Sequence, residues 1–255
     1  MQAHHSFTTV AGTIGPPRDA VMSVASYFAP TRRRGVECLD DPHADPALAL
    51  RSLEDIRRSN RLFGGAGAIL GELRPALAAA PTGPLTLLDV GTGAGDIPAA
   101  ARRLATATGR ELKTAGLEWT VPLAAAAQRR CGVAIAGDAR RLPFADRSVD
   151  YVICSQVLHH FADDEAMLLI REMHRVGRLR VVIGEIRRSW IAAGGLWLAS
   201  WPLGFHAVSR HDGVVSVMRG FLCPELAALI HRATGVVPRV RNRPGFRVAA
   251  SWSPS

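Results

Sequence analysis

The sequence predicts an α/β fold: a mostly parallel, seven-stranded sheet with helices on both faces and an N-terminal helical cap. Three observations carry this expectation. From residue 85 onward, short apolar runs alternate with longer segments of helical periodicity. The first run, LTLLDV, leads directly into a glycine turn, GTGAG. Acids then close successive runs, at Asp89, Glu118 and Asp138.

In chain order, residues 1–45 mix Gly, Pro, Thr and His without periodicity and are expected to be a mobile arm, with a short helix at Val21–Phe28. Asp45-Pro46 has the form of an N-cap followed by proline in the first helical position. Leu48, Leu50, Leu53, Ile56 and Leu62 follow at roughly helical spacing, and Gly64-Gly65 ends the pattern. GAILGELRPALAAA then supplies a second helix before Pro81, so residues 46–84 are expected to form the cap. After Pro84 the predicted strands are 85–90, 112–118, 133–136, 149–155 and 179–185. The predicted helices are 95–108, 121–130, 163–176, 187–201 and 224–233. The tail VVPRVRNRPGFRVAASW reads as two strands around a turn near Asn242–Gly245, which would place one antiparallel edge strand in a core spanning 85–255.

Composition narrows the function. The chain has 255 residues, 48% of them hydrophobic, enough for one core plus a small accessory element. Cys38, Cys131, Cys154 and Cys223 are scattered without a CxxC spacing. This argues against a disulfide framework and a zinc site and fits a reducing cytoplasm, and no secretory leader is expected. The formal charge is +9, yet Lys113 is the only lysine among 31 basic residues and the arginines are spread along the chain. A nucleic-acid surface is therefore not the expectation; a small molecule is. The run IAAGGLWLASWPLGFHAV is uncharged, but its glycines, Pro202 and His206 interrupt it. It is expected to be an apolar lid around 190–213, with a weak membrane-surface contact as a further expectation.

The glycine turn sets the ligand. A dinucleotide fingerprint starting at Gly91 would need its third glycine at position 96, where Asp96 stands. A pyrophosphate on that helix N-terminus would face a carboxylate. A phosphate loop of the GxxxxGK[ST] kind is absent as well. The ligand should be a nucleoside without phosphates that carries positive charge, a description that S-adenosylmethionine fits. Glycines 91, 93 and 95 would let the backbone approach it closely, and Glu118 is placed to accept hydrogen bonds from ribose hydroxyls.

The segments LLDVGTGAG, GLEW and GDARRLPFADRSVDYVICSQVLHHF resemble the Rossmann-like class I S-adenosylmethionine-dependent methyltransferases of the type-11 kind. The resemblance covers residues 85–185 well and the remainder more loosely. It implies that Asp89, Gly91, Thr92, Gly93, Gly95 and Asp96 form the methionine-side loop and that Glu118 binds the ribose. Trp119 would pack on the adenine, Asp138 and the Ala139 amide would read its edge, and Ser155 and Gln156 would line the reacting centre.

The acceptor is less sharply marked. CSQV after the fourth strand lacks both the [DN]PP[YF] run of amino-methylating DNA enzymes and the Pro-Cys of cytosine-C5 enzymes, and Cys154 reads as a core thiol. His159 and His160 would sit at the pocket mouth, with His160 a candidate to touch chemistry. VSRHDGVVSVMRGF, together with LRSLEDIRRSNRLFGG, resembles a bacterial subgroup acting on phenolic or quinol substrates. That resemblance implies a turn in which His211 is the general base and Asp212 or Arg210 orients it or the substrate. Asn60, Arg61 and Phe63 would close the pocket from the other side. His206 is a possible pocket residue, while His4, His5, His43 and His231 carry no role. The expected reaction is O-methylation of a phenol or quinol; the alternatives are C-methylation of a quinone ring and methylation of RNA.

Overall fold

The computed structural model describes residues 29–33, 35–41 and 45–254. The predicted Val21–Phe28 helix and His4, His5 and His43 lie outside these. A seven-stranded sheet in the order β3-β2-β1-β4-β5-β7-β6 forms the centre. Its strands are β1 (Leu85–Val90), β2 (Leu112–Glu118), β3 (Val133–Ala136), β4 (Val149–Ser155), β5 (Gly177–Ile186), β6 (Arg239–Arg243) and β7 (Arg247–Trp252). The first five are mutually parallel, and β7 runs antiparallel to both β5 and β6. The antiparallel strand is thus inserted one place inside the edge that the sequence suggested. The hairpin turn Pro244–Phe246 folds β7 back between its neighbours, leaving the short, arginine-rich β6 outermost, a composition suited to an edge.

Among the described residues eight α-helices accompany the sheet: α1 (Pro46–Leu62), α2 (Gly65–Ala78), α3 (Asp96–Ala107), α4 (Val121–Gln128), α5 (Asp163–Val176), α6 (Trp190–Ser200), α7 (Ala207–Arg219) and α8 (Cys223–Thr234). Asp45 caps α1 by accepting a hydrogen bond from the Ala47 amide at 2.9 Å. One face of the sheet buries α5 and α8 through Leu169, Met173, Leu226 and Ile230, in a cluster that includes Cys154. The other face buries α3 and α2 through Ala101, Ala105, Ile69, Leu73 and Leu77.

This packing divides the expected cap. Ile69, Leu73 and Leu77 of α2 recur every fourth residue and lie fully buried on β1, β4 and β5, so α2 is a layer of the sandwich. Only α1 stands apart. Tyr151 of β4 is buried, and its hydroxyl donates to the Ala76 carbonyl of α2 at 3.0 Å. Tyr151→Phe should therefore lower unfolding stability by about 0.5–1.5 kcal/mol in urea titration, with cofactor affinity unchanged.

The main departure from the sequence expectation lies at 207–219. The Asp212-Gly213 pair is not a turn but the middle of α7. His206 caps this helix, its Nδ1 accepting from the Val208 amide at 3.3 Å. Gly213 leaves room for Leu196 of α6, whose Cδ2 would lie 3.0 Å from a Cβ at that position. The segment 190–213 therefore holds α6 and the first half of α7, and α6 with its C-cap Trp201 presents Trp190, Ile191, Trp197, Leu198 and Trp201 to solvent. Among the described residues no helix is long and apolar enough to cross a membrane.

Residues 30–33 and 35–41, expected within the mobile arm, are tied down against α7 and the segment after β5. Arg188 donates to the Pro30 carbonyl at 2.5 Å, and Arg219 donates to that of Gly35 at 2.8 Å. The Asp212 carboxylate accepts from the Cys38 and Leu39 amides at 2.9 and 3.1 Å.

Candidate active site

The carboxyl ends of β1, β2 and β4 open into a cavity of about 740 Å³. Its floor is the turn after β1, where Gly91, Gly93 and Gly95 all have positive φ, at 70°, 57° and 72°. The Gly91 amide donates to the Leu117 carbonyl at 2.8 Å, which ties the turn to β2. Gly91 also admits no side chain, since a Cβ would lie 2.3 Å from Val157. At Gly93 a Cβ would meet Leu53 Cδ2 of α1 at 3.7 Å, an ordinary contact, and the glycine itself lines the cavity.

Three carboxylates surround the turn. Asp89 is buried beneath the turn, outside the cavity lining; one oxygen accepts from the Thr92 hydroxyl at 2.9 Å, and the other, Oδ1, has no hydrogen-bond partner among the described residues. Burial holds its pKa well above the carboxylate range, and the neighbouring Asp96 and Glu118 charges push the same way. Burial likewise raises Asp96 and Glu118. Glu118 accepts from the Gly93 amide and, at 3.2 Å, from the Trp119 amide. A crowd of desolvated acids with one orphaned oxygen suits a bound cation and repels phosphate. The donor set thus fits a nucleoside bearing ammonium and sulfonium charges.

The other predicted cofactor residues divide. Trp119 is 58% exposed on the rim, with the Arg140 guanidinium 5.9 Å from its ring centre. Ala139, Ser155 and Gln156 line the cavity. Asp138 does not. Its carboxylate is taken by Arg140, whose amide and Nη2 lie at 2.8 and 2.9 Å, and this pairing lowers its pKa. Against the expectation that Asp138 reads the adenine edge, its carboxylate turns to Arg140, and Gly137, Ala139 and Arg140 line the cavity at that point.

A second, mostly apolar chamber of about 300 Å³ lies beside the first, walled by Ile56, Phe63, Ile186, Leu196, Phe205 and Phe246. The two share Leu39, Ile56 and Gln156 as lining residues. Gln156 has a positive φ of 57° and donates through Nε2 to Asn60 Oδ1, so the predicted Asn60 stands at the junction. Phe63 faces the chamber as expected. Arg61 is exposed and lines neither space, and Arg210 stacks on Trp201 with its guanidinium 3.8 Å from the ring centre.

The histidines rearrange the expected chemistry. His211 lines neither space; it sits on an outward face of α7, more than half exposed, with Nδ1 at 2.9 Å from Asp212. The helix that replaces the predicted turn is the physical reason, and it removes His211 as a base in contact with the acceptor. His160 lines the cofactor cavity, with Nδ1 2.8 Å from Asp40. Burial works against its charged form, but the Asp40 and Glu37 carboxylates outweigh it and raise its pKa. His159 is buried behind them, Nδ1 at 2.9 Å from Glu185 and Nε2 without a hydrogen-bond partner, 3.9 Å from Glu37. Burial would raise the Glu185 pKa, yet the His159 charge and hydrogen bond reverse it.

Sequence reasoning did not single out Glu37, Asp40, Glu185 or Arg247. Glu185 had a readable signal, an acid near the end of the VVIGEI strand, equivalent to Glu118 on β2. Glu37 and Asp40 had none, because their partners His160 and Arg219 lie far along the chain.

Comparison with known proteins agrees with this geometry. A family profile described as a methyltransferase domain matches residues 88–180. A demethylmenaquinone methyltransferase of Roseiflexus sp. (strain RS-1) is 36% identical over 172 residues, covering 62% of this chain and 70% of that protein. The plantazolicin methyltransferase BamL, solved with a substrate analogue and S-adenosylhomocysteine, superposes with a TM-score of 0.57 at 14% identity, covering 77% of this chain and 71% of its own. The mitomycin 7-O-methyltransferase MmcR gives 0.54 at 20% identity, covering 87% and 62%. A methyltransferase from Aquifex aeolicus gives 0.50 at 16% identity, covering 84% and 93%. The structural likenesses bear on the fold alone, while the sequence relationship carries the activity: the chain belongs to the class I S-adenosylmethionine-dependent methyltransferases, and S-adenosylmethionine is its cofactor.

Proposed function

We propose that the enzyme methylates an oxygen of a small, mostly apolar aromatic acceptor, a phenol or quinol. The observation that carries this reading is the apolar chamber of about 300 Å³ joined to the cofactor cavity at Leu39, Ile56 and Gln156. S-adenosylmethionine, when bound, supplies an electrophilic methyl group for in-line transfer. Asp89 and Asp96 would hold the positive methionine end, Glu118 the ribose, and Trp119 with Ala139 the adenine. Asn60 and Gln156 stand where acceptor and cofactor would meet and would align the two. Glu37, which lines the chamber, and His160, which lines the cavity, are the groups placed to take a hydroxyl proton, with His159 and Glu185 behind them. The Roseiflexus relative's name favours one alternative, methylation of a quinone-type ring at carbon.

A screen with labelled methyl donor against phenols, quinols, quinones and total RNA tests the proposal. Transfer to a phenol or quinol oxygen is expected, and transfer to RNA alone would refute it.

A further inference from the structure

Three carboxylates line the acceptor chamber, and each is already engaged within the fold. Glu37 accepts from Ser216 at 2.8 Å and pairs with Arg219 at 3.1 Å. Asp55 accepts from the His206 amide at 3.0 Å. Asp212 holds the Cys38 and Leu39 amides. The remaining charged residue of the lining is Arg247, which opens β7 and lies opposite Ile186 of β5. It is 6% exposed, and its guanidinium makes no hydrogen bond or ion pair with any described residue. Its Nε is sealed from solvent without a partner.

Elsewhere the fold satisfies its enclosed arginines. Arg188 bonds to Glu225 and to the carbonyls of Pro30 and Gly220. Arg243, on the neighbouring strand, shares with Arg247 a sealed, unpartnered Nε but pairs through Nη2 with Glu72, an ion pair that Arg247 lacks among the described residues. A buried cation without a hydrogen-bonded partner is costly, and an anionic oxygen entering the chamber would complete it. Burial lowers the Arg247 pKa to about 10, with the Glu185 charge working in the opposite direction, and the group remains cationic at neutral pH.

We propose that the acceptor is an anion: an aromatic molecule bearing a carboxylate or an ionised phenol that pairs with the Arg247 guanidinium in the chamber. The planar guanidinium presents a fork of donors suited to such oxygens. The surrounding Phe63, Phe205 and Phe246 suit an aromatic ring. The proposal rests on the chamber being the acceptor site, and it narrows the substrate class to acids within that reading.

The test uses the protein loaded with S-adenosylhomocysteine and three probes of similar shape: benzoate, 4-nitrophenolate and the neutral benzamide. At least one anion should bind roughly tenfold or more tightly than benzamide in calorimetry, and which one does so separates carboxylate from phenolate recognition. In Arg247→Met this preference should vanish while S-adenosylhomocysteine still binds; Arg247→Lys should retain part of it. Equal binding of all three probes, no binding of either anion, or a preference that survives in Arg247→Met would overturn the proposal. If Arg247→Met does not fold, the wild-type comparison and Arg247→Lys decide. The labelled-donor screen is read separately, so transfer to neutral phenols alone would sink the anionic acceptor and leave the methyltransferase reading intact.

Discussion

Gly91→Ala should destabilise the protein by about 2–5 kcal/mol, read as a lowered urea midpoint with an unchanged slope. Two costs add. The position has a φ of 70°, which costs a residue with a Cβ about 1–2 kcal/mol. The new methyl would also come within 2.3 Å of Val157 Cγ2, and such overpacking costs about 1–3 kcal/mol. Val157 is a β-branched side chain in the segment after β4, so it cannot swing aside freely. Adding Val157→Ala should relieve the overlap and leave the backbone cost, making the pair less damaging than the sum of the singles. Strict additivity would mean that close approach to Val157 is not why glycine stands there.

Glu118→Ala should weaken S-adenosylhomocysteine binding by about 1–3 kcal/mol, roughly 5- to 150-fold. The carboxylate sits at the end of β2, is raised in pKa by burial, and holds the Gly93 amide beside the cavity. Its removal takes away an acceptor for the ribose and also frees the glycine turn. Glu118→Gln retains one acceptor oxygen and should lose less. Unchanged affinity in the alanine variant would reduce Glu118 to a brace for the turn.

Much of this site was legible because its signals are local. The strands 85–90, 112–118, 133–136 and 149–155 coincide with apolar runs whose ends are marked by Gly, Asp or Ser. The glycine turn and Glu118 follow from that register. What stayed hidden depends on contacts between distant segments. Asp212-Gly213 carries a turn signal, whereas in the fold Asp212 accepts from the distant Cys38 and Leu39 amides and Gly213 packs beside Leu196 within a helix. Asp40 meets a histidine 120 positions away. The hydrophobic stripe of α2 was visible, but not that it would cover the sheet. Asp138 was misassigned for a local reason, since Arg140 two residues on competes for its carboxylate.

The insertion of β7 between β5 and β6 bears on how the protein is made. Ribosomal synthesis delivers β5 well before residues 247–252, and until they emerge Val181, Val182 and Ile183 belong to a strand with one flank unpaired. The nascent chain therefore carries a sticky seam until residues 247–252 have emerged, and closing it depends on that stretch arriving before another molecule docks there.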